Sequence, residues 1–142
     1  MKKKWMMLLM IPAMMACTSE KQEKINALQS ECIRIHDLVM PRMGEIVNLS
    51  SDIKTLRKTY ESDTADSLIS YRIHLMKHIQ LLDSAHEEMM VWMQEYEPNF
   101  GKSNGDDATI KYYESEIQAI QRVHDLMLKS IEDGKKVLAE RH

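Results

Sequence analysis

Residues 68–96 read LISYRIHLMKHIQLLDSAHEEMMVWMQEY, and this stretch decides the fold. Its large apolar residues return in alternating steps of three and four, the spacing that places side chains on one face of a helix. No glycine or proline interrupts the series. The stretch therefore predicts one long helix over 64–97. Its stripe consists of Leu68, Tyr71, Leu75, His78, Leu82, Ala85, Met89, Trp92 and Tyr96.

Two similar stripes flank this one and predict helices over 21–60 and 107–140. Each helix is about 50 Å long at roughly 1.5 Å per residue. The first stripe consists of Ile25, Leu28, Cys32, Ile35, Val39, Ile46, Leu49, Ile53, Leu56 and Tyr60. The last stripe consists of Ile110, Tyr113, Ile117, Ile120, His124, Met127, Ile131, Gly134 and Leu138.

The segments between the stripes carry residues that end or begin helices. Ser62 or Asp63 can cap the second helix, and Pro98 ends it because proline lacks the amide hydrogen that a helix interior requires. Asp106 or Asp107 can cap the third helix. The stripes and the breaks therefore agree on three separate helices.

Short connections make successive helices antiparallel. The sequence thus predicts an all-α fold over 23–142, an up-down-up antiparallel three-helix bundle with coiled-coil-like packing. Pro41, followed by Gly44, is predicted to kink the first helix near its middle. Proline removes one backbone hydrogen bond and crowds the carbonyl four residues back, that of Asp37.

The first seventeen residues, MKKKWMMLLMIPAMMAC, differ from the rest of the chain. Three lysines at positions 2–4 precede an apolar run over 5–16, which is shorter than the roughly 20 residues of a membrane-spanning helix. A small residue, Ala16, then precedes Cys17. These features are typical of an export signal that is removed from the mature protein.

The end of this segment resembles the lipobox of bacterial lipoproteins, in which signal peptidase II cuts before a cysteine that carries the lipid. Met14 and Met15 stand where that pattern prefers Leu and a small residue. The resemblance implies a signal peptide over 1–16, lipidation at Cys17 and a short tether over 17–22. The alternative interpretations are an ordinary secretory signal and a soluble protein with an apolar N-terminus.

A lipid anchor holds a protein through transfer free energy, roughly 0.8 kcal/mol for each buried CH₂, so several acyl chains are needed for stable attachment. Thr18 follows the cysteine where an Asp would favour the inner membrane in enteric bacteria. By that rule the chain is predicted to be exported and lipid-anchored to the outer membrane, facing the periplasm or the cell surface.

Charge and cysteine content limit the classes of function. The formal net charge is −3, and loss of the lysines at 2–4 takes it to −6. Nucleic-acid-binding domains are basic, so a nucleic acid is not an expected partner. With Cys17 acylated, Cys32 is the remaining thiol; because it lies on an apolar stripe, it is predicted to be buried and inert.

Histidines and methionines are the residues best suited to bind a ligand. A turn near 61–64 would place His36 level with His86 and Met89 on the next helix. Imidazole and thioether ligands together suit a soft ion such as Cu(I). Ordinary core packing is the competing explanation, since methionine fills irregular gaps between helices. The copper-type candidates are His36, Met40, His86, Met89, His124 and Met127.

Two further groups are candidates for binding. His74 and His78 are spaced i, i+4, as metal-binding pairs often are, but Leu75 stands where an H-E-x-x-H motif has Glu. Met90 and Met93 fall outside the core stripe of the second helix. They are predicted to widen its packing face or to contact a partner helix or a second copy of the chain.

No catalytic constellation is apparent in the sequence: it has no Gly-rich phosphate loop and no Ser-His-Asp or Cys-His arrangement. HDLVMPRMGEI (36–46) and SAHEEMMVWMQEYEP (84–98) resemble small helical lipoproteins of Bacteroidota-type bacteria, some of which are labelled "viral A-type inclusion protein". The resemblance implies a membrane-anchored helical protein without a known biochemical role. We therefore expect a non-enzymatic structural or protein-interaction module of the envelope, and alternatively a periplasmic copper-type metal binder.

Overall fold

The computed structural model describes residues 13–62 and 65–140. Within these ranges the chain is almost entirely helical, and the predicted first helix is divided in two by a short 3₁₀ turn. The elements are α1 (Ala13–Val39), a 3₁₀ turn (Met40–Arg42), α2 (Met43–Thr59), α3 (Asp66–Glu95), a second 3₁₀ turn (Phe100–Lys102) and α4 (Asp106–Ala139).

The helices pack as an up-down-up bundle, as the sequence predicts. α4 contacts α1, α2 and α3, and α2 also packs along α3. Ion pairs from Lys24 to Glu114 and from Glu45 to Lys135 join α1 and α2 to α4 at a constant offset along the sequence, so these helices run parallel. The predicted all-α architecture is therefore confirmed.

Pro41 lies in the 3₁₀ turn that separates α1 from α2. Because proline donates no backbone hydrogen bond, the regular α-helical ladder stops at Val39 and resumes at Met43. Glu45, in the first turn of α2, accepts a hydrogen bond of 2.6 Å from Arg42 and forms an ion pair with Lys135 of α4. The predicted interruption thus falls at Pro41, and α2 is attached to α4 directly after it.

The first two stripes form the core as predicted. The fully buried residues of α1, α2 and α3 include Cys32, Val39, Ile53, Leu75 and Met89. Ile79, which lies beside the predicted stripe of α3, is buried as well. The apolar periodicity therefore identifies the inward face of each of these helices.

The stripe predicted for α4 is wrong at His124, which is only half-buried, whereas Val123, one residue earlier, is buried. Leu138 is partly buried against the core as predicted, and Val137 beside it is buried as well. Since α4 contacts all three other helices, its buried face is wider than a single seam. The widened face includes Ser130, whose hydroxyl is satisfied within α4 by a 3.0 Å hydrogen bond to the Met127 carbonyl.

The export signal lies largely outside the described residues, which begin at residue 13. The backbone at 17–22, predicted as a tether, is helical and belongs to α1. Among the helices described, none combines the length and the apolar character needed to cross a membrane.

Candidate functional site

A groove between α2 and α3 runs along the outside of the bundle. Three pockets lie along it, and the largest has a volume of about 430 Å³. This pocket is near the middle of the helices and is lined by Ile46, Val47, Ser50, Ser51, Lys54, Asp83, His86 and Glu87. The other two are nearer the connection between the helices, and their walls include Arg57, Lys58, Ile69, Ile73 and Met76.

Asp83 of α3 ties the two walls of the groove together. Its carboxylate accepts hydrogen bonds of 2.6 Å from the buried Ser50 hydroxyl and 2.9 Å from the Lys54 ammonium of α2. Partial burial opposes ionisation of this carboxyl, but the two donors outweigh that effect and hold the pKa of Asp83 below its ordinary value. A charged Asp83 therefore fixes the separation of α2 and α3.

The connection between the helices is fixed by Arg72. Its guanidinium donates hydrogen bonds of 2.9 Å and 2.8 Å to the backbone carbonyls of Tyr60 and Glu61, where α2 has ended. Carbonyls at a helix end have no partner within the helix, so these bonds close the end of α2. Hydrogen bonds thus join the two walls of the groove at its middle and at its end.

The exposed side of α3 that borders the groove carries a second stripe with helical spacing, next to the face that packs in the core. We call it the outer stripe; all of its residues are exposed. Ile73 keeps 59% of its surface, Met76 45% and Met90 38%, although the core is already complete without them. The outer stripe consists of Ile69, Ile73, Met76, Gln80, Asp83, Glu87, Met90 and Gln94.

The two ends of the groove differ in charge. Near the connection α2 contributes Lys54, Arg57 and Lys58, with one carboxylate, Glu61, beside them, whereas toward the other end α3 contributes Glu87. Lys54 is paired with Asp83, but the side chains of Arg57 and Lys58 form no salt bridge with any described residue. The groove therefore offers unpaired positive charge beside an apolar ridge.

Met90 and Met93, the residues predicted to contact a partner, have different surroundings. Met90 is exposed and belongs to the outer stripe, while Met93 is partly buried and packs against the core. Ile69, Ile73 and Met76 were not among the residues predicted from the sequence. In the sequence these residues form a second apolar series with steps of four and three. Ile73 lies two residues before Leu75 of the core stripe, and Met76 lies one residue after it.

The copper-type candidates are held in several separate environments. The ring of His36 stacks on Trp92 with centroids 5.6 Å apart, and its Nδ1 lies 2.9 Å from an Asp37 carboxylate oxygen. His124 forms the same contact with Asp125 at 2.8 Å. These two imidazoles therefore already have an aspartate as a neighbour on their own helix.

The remaining candidates lie in the groove, in the core and at the 3₁₀ turn. His86 lines the groove, Met89 and Met127 are fully buried, and Met40 is half-buried in the turn. Trp92, on which His36 stacks, lies six residues beyond His86, a rise of about 9 Å along α3. In the described parts of the chain no three His, Cys, Asp or Glu residues form a group that could hold a metal ion.

His74 and His78 are brought together on α3. Their ring centroids are 4.6 Å apart and the rings are inclined at 68°. Partial burial and the neighbouring His74 lower the pKa of His78, so its neutral, ligating form is favoured. The structure thus brings together the pair that the sequence singled out, and among the described residues no third His, Cys, Asp or Glu joins it to form a metal-binding group.

An aromatic cluster that the sequence did not reveal as a unit closes the end of the bundle near the α3–α4 connection. Phe100 stacks on Tyr112 with centroids 4.2 Å apart, and Tyr112 also contacts Tyr113 and Tyr96. The Tyr113 hydroxyl donates a 3.1 Å hydrogen bond to the Pro98 carbonyl. These contacts fix the connection and stabilise the fold.

Comparison of this chain with known protein families, with curated proteins and with solved structures found no match. Its candidate site is therefore defined by its own geometry: a groove, an exposed apolar stripe beside it and a charge that changes sign along it.

Proposed function

We propose that this protein is a lipoprotein of the bacterial envelope, anchored through Cys17 to the outer membrane, and that its bundle serves as a non-enzymatic protein-interaction module. The observation that carries the interaction role is the outer stripe, which leaves Ile73 and Met76 in solvent beside a groove. The lipobox-like leader and the resemblance to small helical lipoproteins support the location.

The physical basis is the free energy of burying apolar surface, about 25 cal/mol for each Å² removed from water. Apolar side chains at helical spacing beside a groove between two helices fit the recognition of a partner helix. Since the core is complete without the outer stripe, a partner could cover the stripe without any rearrangement of the bundle.

The position of the anchor places the stripe in reach of other proteins. Cys17 lies in the first turns of α1, and α1 and α2 continue to Thr59, about 65 Å away along the helix axes. The end of the groove beside Arg57 and Ile73 therefore lies far from the anchored end. A bundle that stands on its lipid would present this end to the surrounding compartment.

The anchor is tested by lipid labelling in the native cells followed by mass spectrometry of the mature chain. We expect an acylated protein that begins at Cys17 and loses its label in the Cys17→Ser variant. The matched control is Cys32→Ser, which removes the other thiol and should keep the label. An unmodified Cys17 in the mature chain would contradict the proposed anchor.

The interaction role is tested with a photo-crosslinking amino acid placed at Ile73 in the native cells. We expect a discrete crosslinked species at this position and none when the same group replaces Gln118, an exposed polar residue of α4. Equal labelling at both positions, or none at either, would contradict an interaction surface on α3.

A further inference from the structure

We infer that the outer stripe binds the outer stripe of a second copy of this chain, with the two α3 helices antiparallel. This inference rests on the proposed interaction role and specifies the partner. It follows from the spacing of the stripe, from its charges and from what lies beside it in the groove.

The spacing of the outer stripe is the same in both directions. From Ile69 to Gln94 its steps are four, three, four, three, four, three and four. A two-fold axis midway between Gln80 and Asp83 therefore superposes the stripe of one copy on that of the other. Such an isologous contact uses the same patch twice and closes after two copies.

The two-fold arrangement pairs residues of suitable chemistry. Ile73 of one copy faces Met90 of the other, and Gln80 faces Asp83. The eight positions of the stripe extend for about 38 Å, a length typical of paired helices in stable bundles. An apolar contact between Ile73 and Met90 thus lies on each side of the axis, a polar contact lies at the centre, and the outermost pair is Ile69 with Gln94.

Charge selects the antiparallel orientation. Arg57 lies in the groove beside Met76, and the two-fold axis brings Met76 opposite Glu87 of the second copy. A guanidinium that forms no salt bridge with any described residue therefore lies near a carboxylate on each side of the two-fold axis. In a parallel pair Glu87 would face Glu87, and like charges brought together in an interface are costly.

The change in the sign of the charge along the groove also disfavours binding partners other than a second copy. A uniformly acidic helix would meet Arg57 and Lys58 favourably but would be repelled by Glu87. A surface of anionic lipids would be repelled in the same way. A second copy satisfies both ends at once because it supplies the opposite sign at each.

The first test is the mass of the chain in solution, measured by sedimentation over a range of concentrations. A chain that begins at Thr18 keeps the whole core, whose first residue is Ile25. We expect a concentration-dependent dimer, and we expect Ile73→Glu to raise its dissociation constant at least about tenfold, equivalent to about 1.4 kcal/mol. The matched control, Gln118→Glu, adds the same charge on α4 and should leave the constant unchanged.

The second test determines the relative orientation of the two α3 helices by disulfide formation between variants that each carry one added cysteine. We expect a mixture of Ile73→Cys and Met90→Cys chains to form mixed disulfide dimers faster than either variant alone. Cys32 is fully buried and does not compete. Faster crosslinking of Ile73→Cys with itself would overturn the antiparallel arrangement.

The outcomes separate the inference from the proposed function. A chain that stays monomeric at all concentrations overturns the dimer, and so does a chain that remains monomeric but binds vesicles of anionic lipid. If crosslinking at position 73 in cells then still yields a discrete species, the interaction role stands with a different partner. If neither self-association nor a crosslinked species is found, both the dimer and the interaction role are contradicted.

Discussion

Gly134 of α4 lies directly against Leu82 of α3, so closely that a Cβ on the glycine would come within 3.3 Å of the Leu82 Cδ1. The methyl carbons of Ile53 and Leu49 are both 3.7 Å from the same point. Three helices therefore meet at a position where only a residue without a side chain fits without displacing its neighbours.

The first prediction concerns this contact. Gly134→Leu is expected to lower the free energy of unfolding by about 1–3 kcal/mol, since added methyl groups in a closed core force neighbours from their preferred rotamers. Gly44→Leu is the matched control, because no atom lies within 4 Å of a Cβ at that position of α2. Urea denaturation followed by circular dichroism measures both; equal losses would show that α4 is not packed as described.

The second prediction concerns the link across the groove. Asp83→Ala is expected to lower the free energy of unfolding by about 1–3 kcal/mol, because it leaves the buried Ser50 hydroxyl without an acceptor. The double variant with Ser50→Ala should lose less than the sum of the two single variants. Urea denaturation in an Ile73→Glu background, where self-association is weakened, measures the difference, and strict additivity would contradict the bond.

The same link gives a pH dependence. The pKa of Asp83 is lowered in the folded chain, so its stabilising effect is complete above its ordinary value of 3.8 and is lost as the pH falls through the lowered value. Asp83→Asn should therefore lose less stability than the wild type between pH 5 and the acid transition. A larger loss in Asp83→Asn would contradict the assigned direction.

The core faces could be predicted because burial repeats with the period of the helix. The register could not, since sliding one helix past another by a heptad keeps every apolar residue facing inward. His36 therefore stacks on Trp92, beyond the His86 and Met89 with which it was expected to be level. The distances between histidine and methionine side chains on different helices depend on how far one helix is shifted along the other.

The position of the candidate surface could not be predicted from the sequence either. Ile73 and Met76 are as apolar as their core neighbours, and only the three-dimensional arrangement determines which stripe of α3 faces α2 and α4. The three-dimensional arrangement also determines the wider buried face of α4, in which Val123 is buried and His124 is not. A periodic pattern identifies a helix and a face, whereas the number of neighbours sets the width of that face.

The third prediction concerns alkaline pH. Burial raises the pKa of Cys32 from 9.0 to about 11, and its thiolate would lie among apolar side chains. Because its pKa is raised, the neutral Cys32 thiol contributes fully to the stability of the folded chain below pH 9, and this contribution is lost as the pH rises toward 11. We expect the free energy of unfolding to fall by about 1 kcal/mol from this group between pH 8 and pH 10.

Denaturation of the wild type and of Cys32→Val at these two pH values measures that contribution. The variant cannot form a thiolate, so its stability should fall less over the same range. Burial also raises the pKa of Tyr113 and Tyr112, so some loss will remain in the variant. Identical losses in both chains would show that Cys32 does not titrate with a raised pKa.

The fourth prediction concerns copper. Met89 and Met127 are fully buried, so their thioethers can reach an ion only if the core opens. We therefore expect no Cu(I) binding with a dissociation constant below about 10 μM, equivalent to about 7 kcal/mol. Calorimetric titration of the chain from Thr18 with Cu(I) measures it. Tighter binding that is lost in Met89→Leu and in His36→Ala would instead support the copper-type site.

The fifth prediction combines the anchor with the antiparallel dimer. In such a dimer the two α1 helices begin at opposite ends, so two anchored copies would join two facing membranes. A chain beginning at Cys17 can be coupled by that thiol to vesicles carrying a maleimide lipid, since Cys32 is buried and its raised pKa keeps it protonated near pH 7. We expect these vesicles to cluster, which light scattering measures as an increase in particle size.

The controls for this experiment use the same two charge variants. Gln118→Glu should leave the clustering intact, and Ile73→Glu should abolish it at equal surface density, because a carboxylate replaces the apolar side chain that faces Met90 of the second copy. Clustering that survives Ile73→Glu would arise from some other contact. Vesicles that stay dispersed although the chain dimerises in solution would mean that the two anchors can insert in one membrane, which requires the bundles to lie along its surface.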